Sequence, residues 1–373
     1  MLSFTAVLSL TSLACSVLQG VALEVPDERL IGWKGETHHT NGESCRDDND
    51  NCEDWAENKE CERNPAFMEK TCRLSCKVCV GPASTPQAFP MTDEGREVGQ
   101  LHLNTGTLMP TIGFGTAGMG CGLSKRAVTS ALKAGYRHID TAQAHEWYCE
   151  EKVGEAIAAS GIPREDLFIV TKQHPRDHGF ERTKEMFQSS LTNLHTDYID
   201  LMHLHYPQCW GTLCAGSQPS GTWRDAWRAL EELYHAGQVR ALGVSNFSPQ
   251  ELSQLLEIAT VRPAVVQSHS DPLRPNWELQ RMCKEEGIVF TAYSSLGTQH
   301  GFSRPNPVLN SPVIKAVGEG VSKSPAQVVL RWALDHNQVV IPRSTNPEHI
   351  KQNLQLGFSL SEADLAKIDA LGS

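Results

Sequence analysis

The sequence has little positive charge, and this limits the partners it can have. Lysine and arginine total 33 against 44 aspartate and glutamate residues, which gives a formal charge of −11. A nucleic-acid-binding domain needs a basic surface to neutralise phosphates, so we expect no nucleic-acid partner. The hydrophobic fraction of 40% and the charged fraction of 21% are typical of a globular chain rather than a disordered one.

Charged side chains are absent from residues 1–23. The apolar run ends near Gly20, Val21 and Ala22, small residues compatible with cleavage, so residues 1–22 are predicted to be a signal peptide. The alternative is an uncleaved membrane anchor, although scattered serines and threonines make the run polar for that role. We therefore expect a secreted protein or one of the endoplasmic reticulum lumen, membrane-anchored if the signal is retained. No other stretch is a credible transmembrane helix.

A short segment is dense in cysteine but lacks the pattern of a zinc site. Its cysteines are Cys45, Cys52, Cys61, Cys72, Cys76 and Cys79. Cys76 and Cys79 have CxxC spacing, but no second close pair or histidine cluster lies nearby. The segment is too short to bury an adequate core, and it follows a predicted signal peptide, so we expect disulfides. Spacing alone leaves their pairing open.

This segment, residues 45–79, resembles the sea-anemone-toxin-like (ShKT) domain. The resemblance is carried by the cysteines and by Trp55, Ala56, Glu60, Asn64, Pro65, Phe67, Met68, Ser75, Lys77 and Val78. It implies the pairs Cys45–Cys79, Cys52–Cys72 and Cys61–Cys76. Channel-blocking members carry a lysine–tyrosine pair where this chain has Ala66 and Phe67. We therefore expect a module that recognises a protein or surface partner, or a stable spacer, rather than a toxin.

Residues 80–100 contain prolines and small residues without apolar periodicity and are predicted to be a linker. From residue 101 onward, a predicted hairpin is followed by short apolar runs that alternate with helical patterns. The predicted strands are 111–116, 137–141, 167–172, 198–205, 239–244, 264–267, 289–293 and 339–342. The predicted helices include 125–134, 181–194, 223–236, 250–259, 277–286, 325–335 and 347–356, and another begins near Val153.

Alternating strands and helices predict an α/β fold, a (β/α)8 TIM barrel over residues 101–373. A competing signal is the GxGxxG pattern at residues 113–118, with Asp140 about 20 residues further on, as in a dinucleotide-binding Rossmann domain. The number of strand–helix units favours the barrel.

The same region resembles the aldo-keto reductases. The shared motifs are LNTG (103–106), GFGT (113–116), GYRHIDTA (135–142), DYIDL (197–201), GVSNF (243–247), AYS (292–294) and IPRS (341–344). The resemblance implies NADPH-dependent reduction of an aldehyde or ketone, with NAD as a possible cofactor. We expect a monomer acting on a small-molecule carbonyl substrate.

The resemblance also implies four catalytic residues: Asp140, Tyr148, Lys172 and His205. Tyr148 would protonate the carbonyl oxygen, and Lys172 would lower the pKa of that phenol. Asp140 would pair with Lys172, because a buried ammonium is costly without a partner. His205 would donate to the substrate oxygen, whereas His203 on the same strand face is expected to be structural.

The tyrosine position departs from the family pattern. In that pattern the tyrosine stands five residues after the aspartate, where this chain has His145, and Gly154 comes two residues late. An insertion of about two residues would bring Trp147 or Tyr148 into the slot, and Tyr148 is the only phenol available. His145 as the donor, or a lost activity, are the alternatives.

The resemblance also implies which residues contact the cofactor at its nicotinamide amide, nicotinamide ring, pyrophosphate, 2′-phosphate and adenine. The implied residues are Thr116, Asp140, Ser245, Asn246, Gln267, Tyr293, Ser294, Leu296, Arg343, Ser344 and Asn353. Many NADPH-preferring members carry an arginine where this chain has His349. Asn246 also begins a glycosylation sequon, which we expect to stay unmodified because it lies in the cofactor site.

The substrate pocket is the least determined feature. The loop after His205 carries Cys209, Trp210 and Cys214, and the two cysteines either pair or remain thiols. Trp210 and Trp223 are candidate substrate walls, although Trp223 fits a core position equally well. The competing function is a non-catalytic binding protein on a barrel scaffold.

Overall fold

The computed structural model describes residues 47–49, 51–73, 75–77, 99–301 and 305–372. The predicted signal peptide, most of the predicted linker, Cys45 and Cys79 lie outside these residues. Within the described ranges, no helix combines the length and apolarity needed to cross a bilayer.

The small module is a set of short helices held together by disulfides. The helices are α1 Cys52–Glu57, α2 Glu60–Arg63 and α3 Pro65–Thr71. Disulfides join Cys52 to Cys72 and Cys61 to Cys76, which confirms two of the expected pairs. The third expected pair, Cys45–Cys79, lies outside the described residues. Met68 is the buried apolar residue that packs against Cys52 and Cys72, so the disulfides supply much of this small core.

The large domain begins with an antiparallel hairpin and continues as a parallel sheet. The hairpin strands are β1 Gln100–His102 and β2 Leu108–Pro110. The sheet strands are β3 Phe114–Gly115, β4 His138–Asp140, β5 Phe168–Gln173, β6 Leu201–Leu204, β7 Leu242–Ser245, β8 Val265–His269, β9 Val289–Tyr293 and β10 Val339–Val340.

The sheet closes on itself. Each strand from β3 to β10 pairs in parallel with the next one along the chain. A parallel bridge between Ile112 and Val340 then joins the first strand to the last. Val340 N donates to Thr111 O at 3.0 Å, and Gly113 N donates to Val340 O at 2.8 Å. The predicted (β/α)8 barrel is therefore confirmed, and no open edge remains between these two strands.

Helices surround the barrel: α4 Gly120–Ala134, α5 Glu150–Ala159, α6 Phe180–Asn193, α7 Trp223–His235, α8 Pro249–Ile258, α9 Trp277–Glu285, α10 Pro312–Val321, α11 Pro325–Asp335, α12 Pro347–Gln352 and α13 Glu362–Asp369. Several begin with capping boxes, as where Ser248 and Glu251 exchange hydrogen bonds at α8. Helices α10 and α13 were not predicted from the pattern.

The hairpin covers the amino-terminal end of the barrel. Leu103 and Met109 are buried in one cluster with Phe168, Val170 and Leu201 from the barrel strands. This apolar cluster packs the hairpin against the barrel interior at its amino-terminal end, and the active sites of barrel enzymes form at the opposite, carboxyl end.

The GxGxxG glycines serve barrel packing. A side chain at Gly113 would lie 2.6 Å from the His138 ring, and one at Gly115 would lie 2.6 Å from Ile341 O. Gly118 has a φ of +69°, a region that favours glycine, and is next to the Arg343 guanidinium. The spacing that mimics a Rossmann fingerprint is therefore explained by contacts with β4 and with the segment after β10.

Candidate active site

A cavity of about 970 Å³ lies at the carboxyl end of the barrel. Ten predicted site residues line it: Asp140, Tyr148, His205, Ser245, Asn246, Gln267, Tyr293, Ser294, Leu296 and Arg343. A second cavity, of about 920 Å³, lies at the opposite end beside the hairpin and contains none of them. The barrel topology explains this gathering, because the ends of successive parallel strands meet at one rim.

Four predicted residues do not line the cavity: Thr116, Lys172, Ser344 and Asn353. Lys172 is fully buried directly behind Asp140. Thr116 is also buried, and its hydroxyl donates to Asp140 O at 3.0 Å. Ser344 accepts a hydrogen bond from Asn346 N at 3.1 Å, near the start of α12.

Asp140 and Lys172 form a buried ion pair. Lys172 Nζ lies 2.5 Å from Asp140 Oδ1 and 2.9 Å from Thr141 O, and both side chains are essentially inaccessible. Gln267 Nε2 donates to the other Asp140 oxygen at 2.8 Å. Burial lowers the pKa of the Lys172 ammonium, and the Asp140 carboxylate opposes that shift. The hydrogen bonds satisfy the pair, which a buried charge requires.

Tyr148 lies beside this pair. Lys172 Nζ is 5.2 Å from the centre of the Tyr148 ring, and the His205 ring centre is 5.8 Å from it. Burial, followed by the charge of Asp140, raises the pKa of the Tyr148 phenol well above its ordinary value, whereas Arg343 lowers it. We expected Lys172 to lower this pKa; in the structure burial outweighs any such effect, so the phenol keeps its proton at neutral pH.

The turn between β4 and α5 places Tyr148 inside the cavity and leaves His145 outside. Tyr148 is 8% exposed and lines the cavity, whereas His145 is exposed and does not. Tyr148 N donates to Ala144 O at 2.9 Å, and Gly118 N donates to Trp147 O at 2.6 Å. Trp147 lines the cavity as well, but it carries no acidic group. Of His145, Trp147 and Tyr148, only Tyr148 places a phenol in the cavity.

The residues that follow Tyr148 are anchored. Cys149 forms a disulfide with Cys121, a pair that the spacing of the cysteines in the sequence does not indicate. The next residue, Glu150, accepts hydrogen bonds from the Thr171 hydroxyl at 2.5 Å and the Ser190 hydroxyl at 2.9 Å. These contacts hold the turn at its carboxyl end, which limits how far the Tyr148 backbone can move.

His205 is buried between aromatic rings. Its ring stacks on Tyr206 with centres 4.8 Å apart. Burial, assisted by the charge of Lys172, lowers the pKa of His205 well below its ordinary value, so the imidazole is neutral. His203 is also buried, but it does not line the cavity, in keeping with a structural role.

Three of the predicted nicotinamide contacts, Ser245, Asn246 and Tyr293, are joined by hydrogen bonds. Asn246 Nδ2 donates to His205 O at 2.9 Å and to Ser245 Oγ at 3.1 Å, and its Oδ1 accepts from the Tyr293 hydroxyl at 2.7 Å. The Asn246 nitrogen that glycosylation would modify is thus already engaged on the cavity wall.

Aromatic residues form the outer wall of the cavity. Trp210 is 53% exposed and lies 5.8 Å, between ring centres, from Tyr206. Cys209 and Cys214 are disulfide-bonded, which closes the loop that carries Trp210. Trp223 is instead a core residue packed against Phe247. Sequence reasoning missed Tyr206 as a wall, although its position directly after His205 was a usable signal.

The sequence matches two family models and several known proteins. A family model described as the Aldo/keto reductase family matches residues 111–373, and one described as ShK domain-like matches residues 44–79. An aldo-keto reductase of Mycolicibacterium vanbaalenii is 40% identical over 270 residues, which are 72% of this chain and 90% of that protein. A glyoxal reductase of Bacillus subtilis is 39% identical over 273 residues, 73% of this chain and 92% of that protein.

Among solved structures, that of a Bombyx mori aldo-keto reductase in complex with NADP has a TM-score of 0.68 at 31% identity. The superposition covers 74% of this chain and 93% of that chain. The similarity therefore extends over most of the barrel, and so over the elements that build the cavity.

Proposed function

The chain belongs to the aldo/keto reductase family, and from this premise we propose that it reduces an aldehyde or ketone with NADPH, using Tyr148 as the proton donor. One observation carries the proposal. A buried Asp140–Lys172 pair, the Tyr148 phenol and the His205 imidazole meet at one wall of the cavity, with Lys172 Nζ 5.2 Å from the Tyr148 ring centre.

The cavity has the groups that a nicotinamide dinucleotide phosphate would require. Asn246 and Gln267 are amides on its wall, the Tyr293 ring offers a flat aromatic face, and Arg343 is an exposed guanidinium. The amide nitrogen of Gln267 is committed to Asp140, which leaves its amide oxygen to accept from a carboxamide. When bound, the reduced nicotinamide supplies hydride to the carbonyl carbon.

The chain's own contribution is a proton at the carbonyl oxygen. Tyr148 is protonated at neutral pH and can donate as negative charge develops on that oxygen. The Lys172 ammonium then stabilises the phenolate that forms, and Asp140 keeps that ammonium charged in a buried site. His205, being neutral, can donate a hydrogen bond to the same oxygen without adding charge.

We propose that the substrate carries an apolar group next to its carbonyl. Trp147, Tyr206 and Trp210 face the same cavity as Tyr148 and offer aromatic surface. The Cys209–Cys214 disulfide restrains the loop that carries Trp210, so this wall is partly organised before the substrate arrives.

The test is a comparison of Tyr148→Phe with His145→Ala. With NADPH and a panel of aromatic and aliphatic aldehydes, Tyr148→Phe should lower kcat by about 10²–10⁴-fold, because general acid catalysis contributes that much. Its affinity for NADPH, read from cofactor fluorescence, should stay close to that of the wild type. His145→Ala, the exposed matched control, should change kcat by less than about twofold.

Two outcomes would overturn the proposal. Loss of rate in His145→Ala but not in Tyr148→Phe would move the proton donor to His145. NADPH binding without turnover of any aldehyde by the wild type would support a non-catalytic binding protein instead.

For the ShK-like module we propose a recognition or tethering role that is separate from catalysis. Its described residues contribute nothing to the cavity lining, and Phe67 is 45% exposed. Phe67→Ala should therefore leave kcat/KM unchanged, and a clear change would contradict this separation. We further propose secretion or residence in the endoplasmic reticulum lumen, which the disulfides in both domains support.

A further inference from the structure

Three side chains that the proposed reduction does not use converge next to the cavity. His269 ends β8, Asp271 follows two residues later, and His300 ends a 3₁₀ turn, Thr298–His300, after β9. Asp271 Oδ2 lies 2.8 Å from His269 Nε2 and 2.9 Å from His300 Nε2. One ligand-type atom from each residue lies within 4.8 Å of the other two.

The carboxylate is held in a fixed orientation. Asp271 Oδ1 accepts hydrogen bonds from Leu273 N at 2.8 Å and from Arg274 N at 3.2 Å. Its other oxygen, Oδ2, is the nearer one to both imidazoles, although Oδ1 also lies 3.1 Å from His300 Nε2. Backbone donors that fix one oxygen of a carboxylate, and so orient the other, are a common support for a metal ligand.

The chemistry of the three atoms suits a transition metal. Two imidazole nitrogens and one carboxylate oxygen match the preferences of Zn²⁺, whereas Mg²⁺ and Ca²⁺ favour sites made of oxygen atoms. The side chain of Asp271 is inaccessible, but those of His269 and His300 are 19% and 10% exposed, so the cluster lies at the edge of the solvent-accessible surface.

We propose that His269 Nε2, Asp271 Oδ2 and His300 Nε2 bind a divalent transition-metal ion of the Zn²⁺ type, with water completing the coordination. The ion replaces the hydrogen bonds that now join the histidines to Asp271.

The site has a structural consequence for the neighbouring cavity. Thr298, Gln299 and Gly301 flank His300 and line that cavity, and the His269 ring centre is 6.0 Å from that of Tyr293. An ion shared by β8 and this loop therefore ties the loop to the barrel. Bound Zn²⁺ should stabilise the folded chain and change its affinity for a cavity ligand.

The test is Zn²⁺ binding to the tag-free full chain, in the absence of nucleotide, by competition with a chromogenic zinc indicator. The wild type should bind one Zn²⁺ per chain at this site and show a rise in melting temperature on Zn²⁺ addition. His300→Ala should bind it at least about 100-fold more weakly, since even outer-shell changes cost 10–100-fold. Asp271→Asn keeps an oxygen for the backbone donors and should also weaken binding.

His336→Gln is the matched control. His336 Nε2 lies 2.8 Å from Asp369 Oδ1, but in the described part of the chain this pair is not joined by a third histidine, cysteine or acidic ligand. The control should bind Zn²⁺ like the wild type. Equal Zn²⁺ affinity in the wild type, His300→Ala and Asp271→Asn would overturn the proposal, as would the absence of stoichiometric binding to the wild type. Because no substrate or nucleotide enters the assay, the result is independent of the proposed reduction.

Discussion

Cys121 and Cys149 are joined by a disulfide with their Cα atoms 5.1 Å apart, one residue beyond Tyr148. Cys121 lies in the first turn of α4, and Cys149 directly precedes α5. The bond therefore fixes the end of the turn between β4 and α5 against the first helix of the barrel. The position of the proposed proton donor depends on a covalent link as well as on packing.

Removing this disulfide should impair turnover. The double variant Cys121→Ser/Cys149→Ser should lower kcat at least about tenfold, because a misplaced proton donor loses its geometry. It should also lower the free energy of unfolding by about 3 kcal/mol, since the bond closes a long loop. Steady-state kinetics and urea unfolding measure the two effects.

The Cys209–Cys214 disulfide is the control, because it closes a short loop on the outer wall. Cys209→Ser/Cys214→Ser should cost about 2 kcal/mol or less and leave kcat close to that of the wild type. Equal kcat values for the wild type and the Cys121–Cys149 variant would show that packing alone positions Tyr148.

Breaking the Asp140–Lys172 pair should destabilise the fold. Asp140→Asn leaves a buried ammonium without a counter-charge, which should cost about 3–5 kcal/mol. The pKa of Lys172, already lowered by burial, should fall further. Between that lowered pKa and the ordinary pKa of lysine, the unfolded variant binds a proton that the folded variant has released, so the free energy of unfolding should rise with pH. Urea unfolding at pH 7 and pH 9 tests this direction.

The double variant Asp140→Asn/Lys172→Met separates charge from packing. With both charges removed, much of the stability should return, whereas activity should stay low because the phenolate loses its cation. A double variant less stable than Asp140→Asn would contradict a role for the unpaired charge.

Acid should destabilise the chain through His138. Burial lowers the pKa of His138 to about 4 from an ordinary value near 6.5. Between these values the unfolded chain binds a proton that the folded chain does not, so stability falls as pH drops from about 6.5 to about 4. The full effect is about 3 kcal/mol, readable from urea midpoints across that range.

His138→Asn is the matched variant for this effect. His138 Nδ1 lies 3.1 Å from Pro110 O, and an asparagine amide can make the same hydrogen bond. The variant should lose less stability on acidification than the wild type. Parallel pH profiles for the two proteins would rule out His138 as the source.

Arg343 should set the preference for NADPH over NADH. A hydrogen bond to a charged group contributes about 1.5–3 kcal/mol, so Arg343→Ala should weaken NADPH binding about 10–100-fold. NADH binding should change by less than about threefold. His349→Arg, next to this site in the sequence, should strengthen NADPH binding. Equal losses for both cofactors would place Arg343 away from the 2′-phosphate.

The strands, and with them the residues at the carboxyl end of the barrel, were predictable because apolar runs and capping residues mark them in the sequence. The β9 strand Val289–Tyr293 and the helix α11 Pro325–Asp335 have the predicted bounds, since apolar runs and a capping serine mark their ends. The closing strand was predicted over 339–342, longer than β10 Val339–Val340. Pro342 O still accepts a hydrogen bond from Gly115 N at 3.2 Å, but Pro342 has no N–H to donate to the ladder, and it lines the cavity with Ile341. The local sequence pattern does not show where a barrel strand stops pairing with its neighbours.

Residue identity and order alone determined the family, the barrel and the residues that gather at its rim. Parallel strands bring Asp140, His205, Ser245 and Gln267 to the carboxyl end of the barrel, regardless of the conformation of the loops. Tertiary structure alone decided which side chain of the turn between β4 and α5 faces the cavity, which cysteine pairs with Cys149, and that His300 contacts Asp271. These contacts join residues far apart in the chain, and their geometry depends on how loops pack, which no local periodicity encodes.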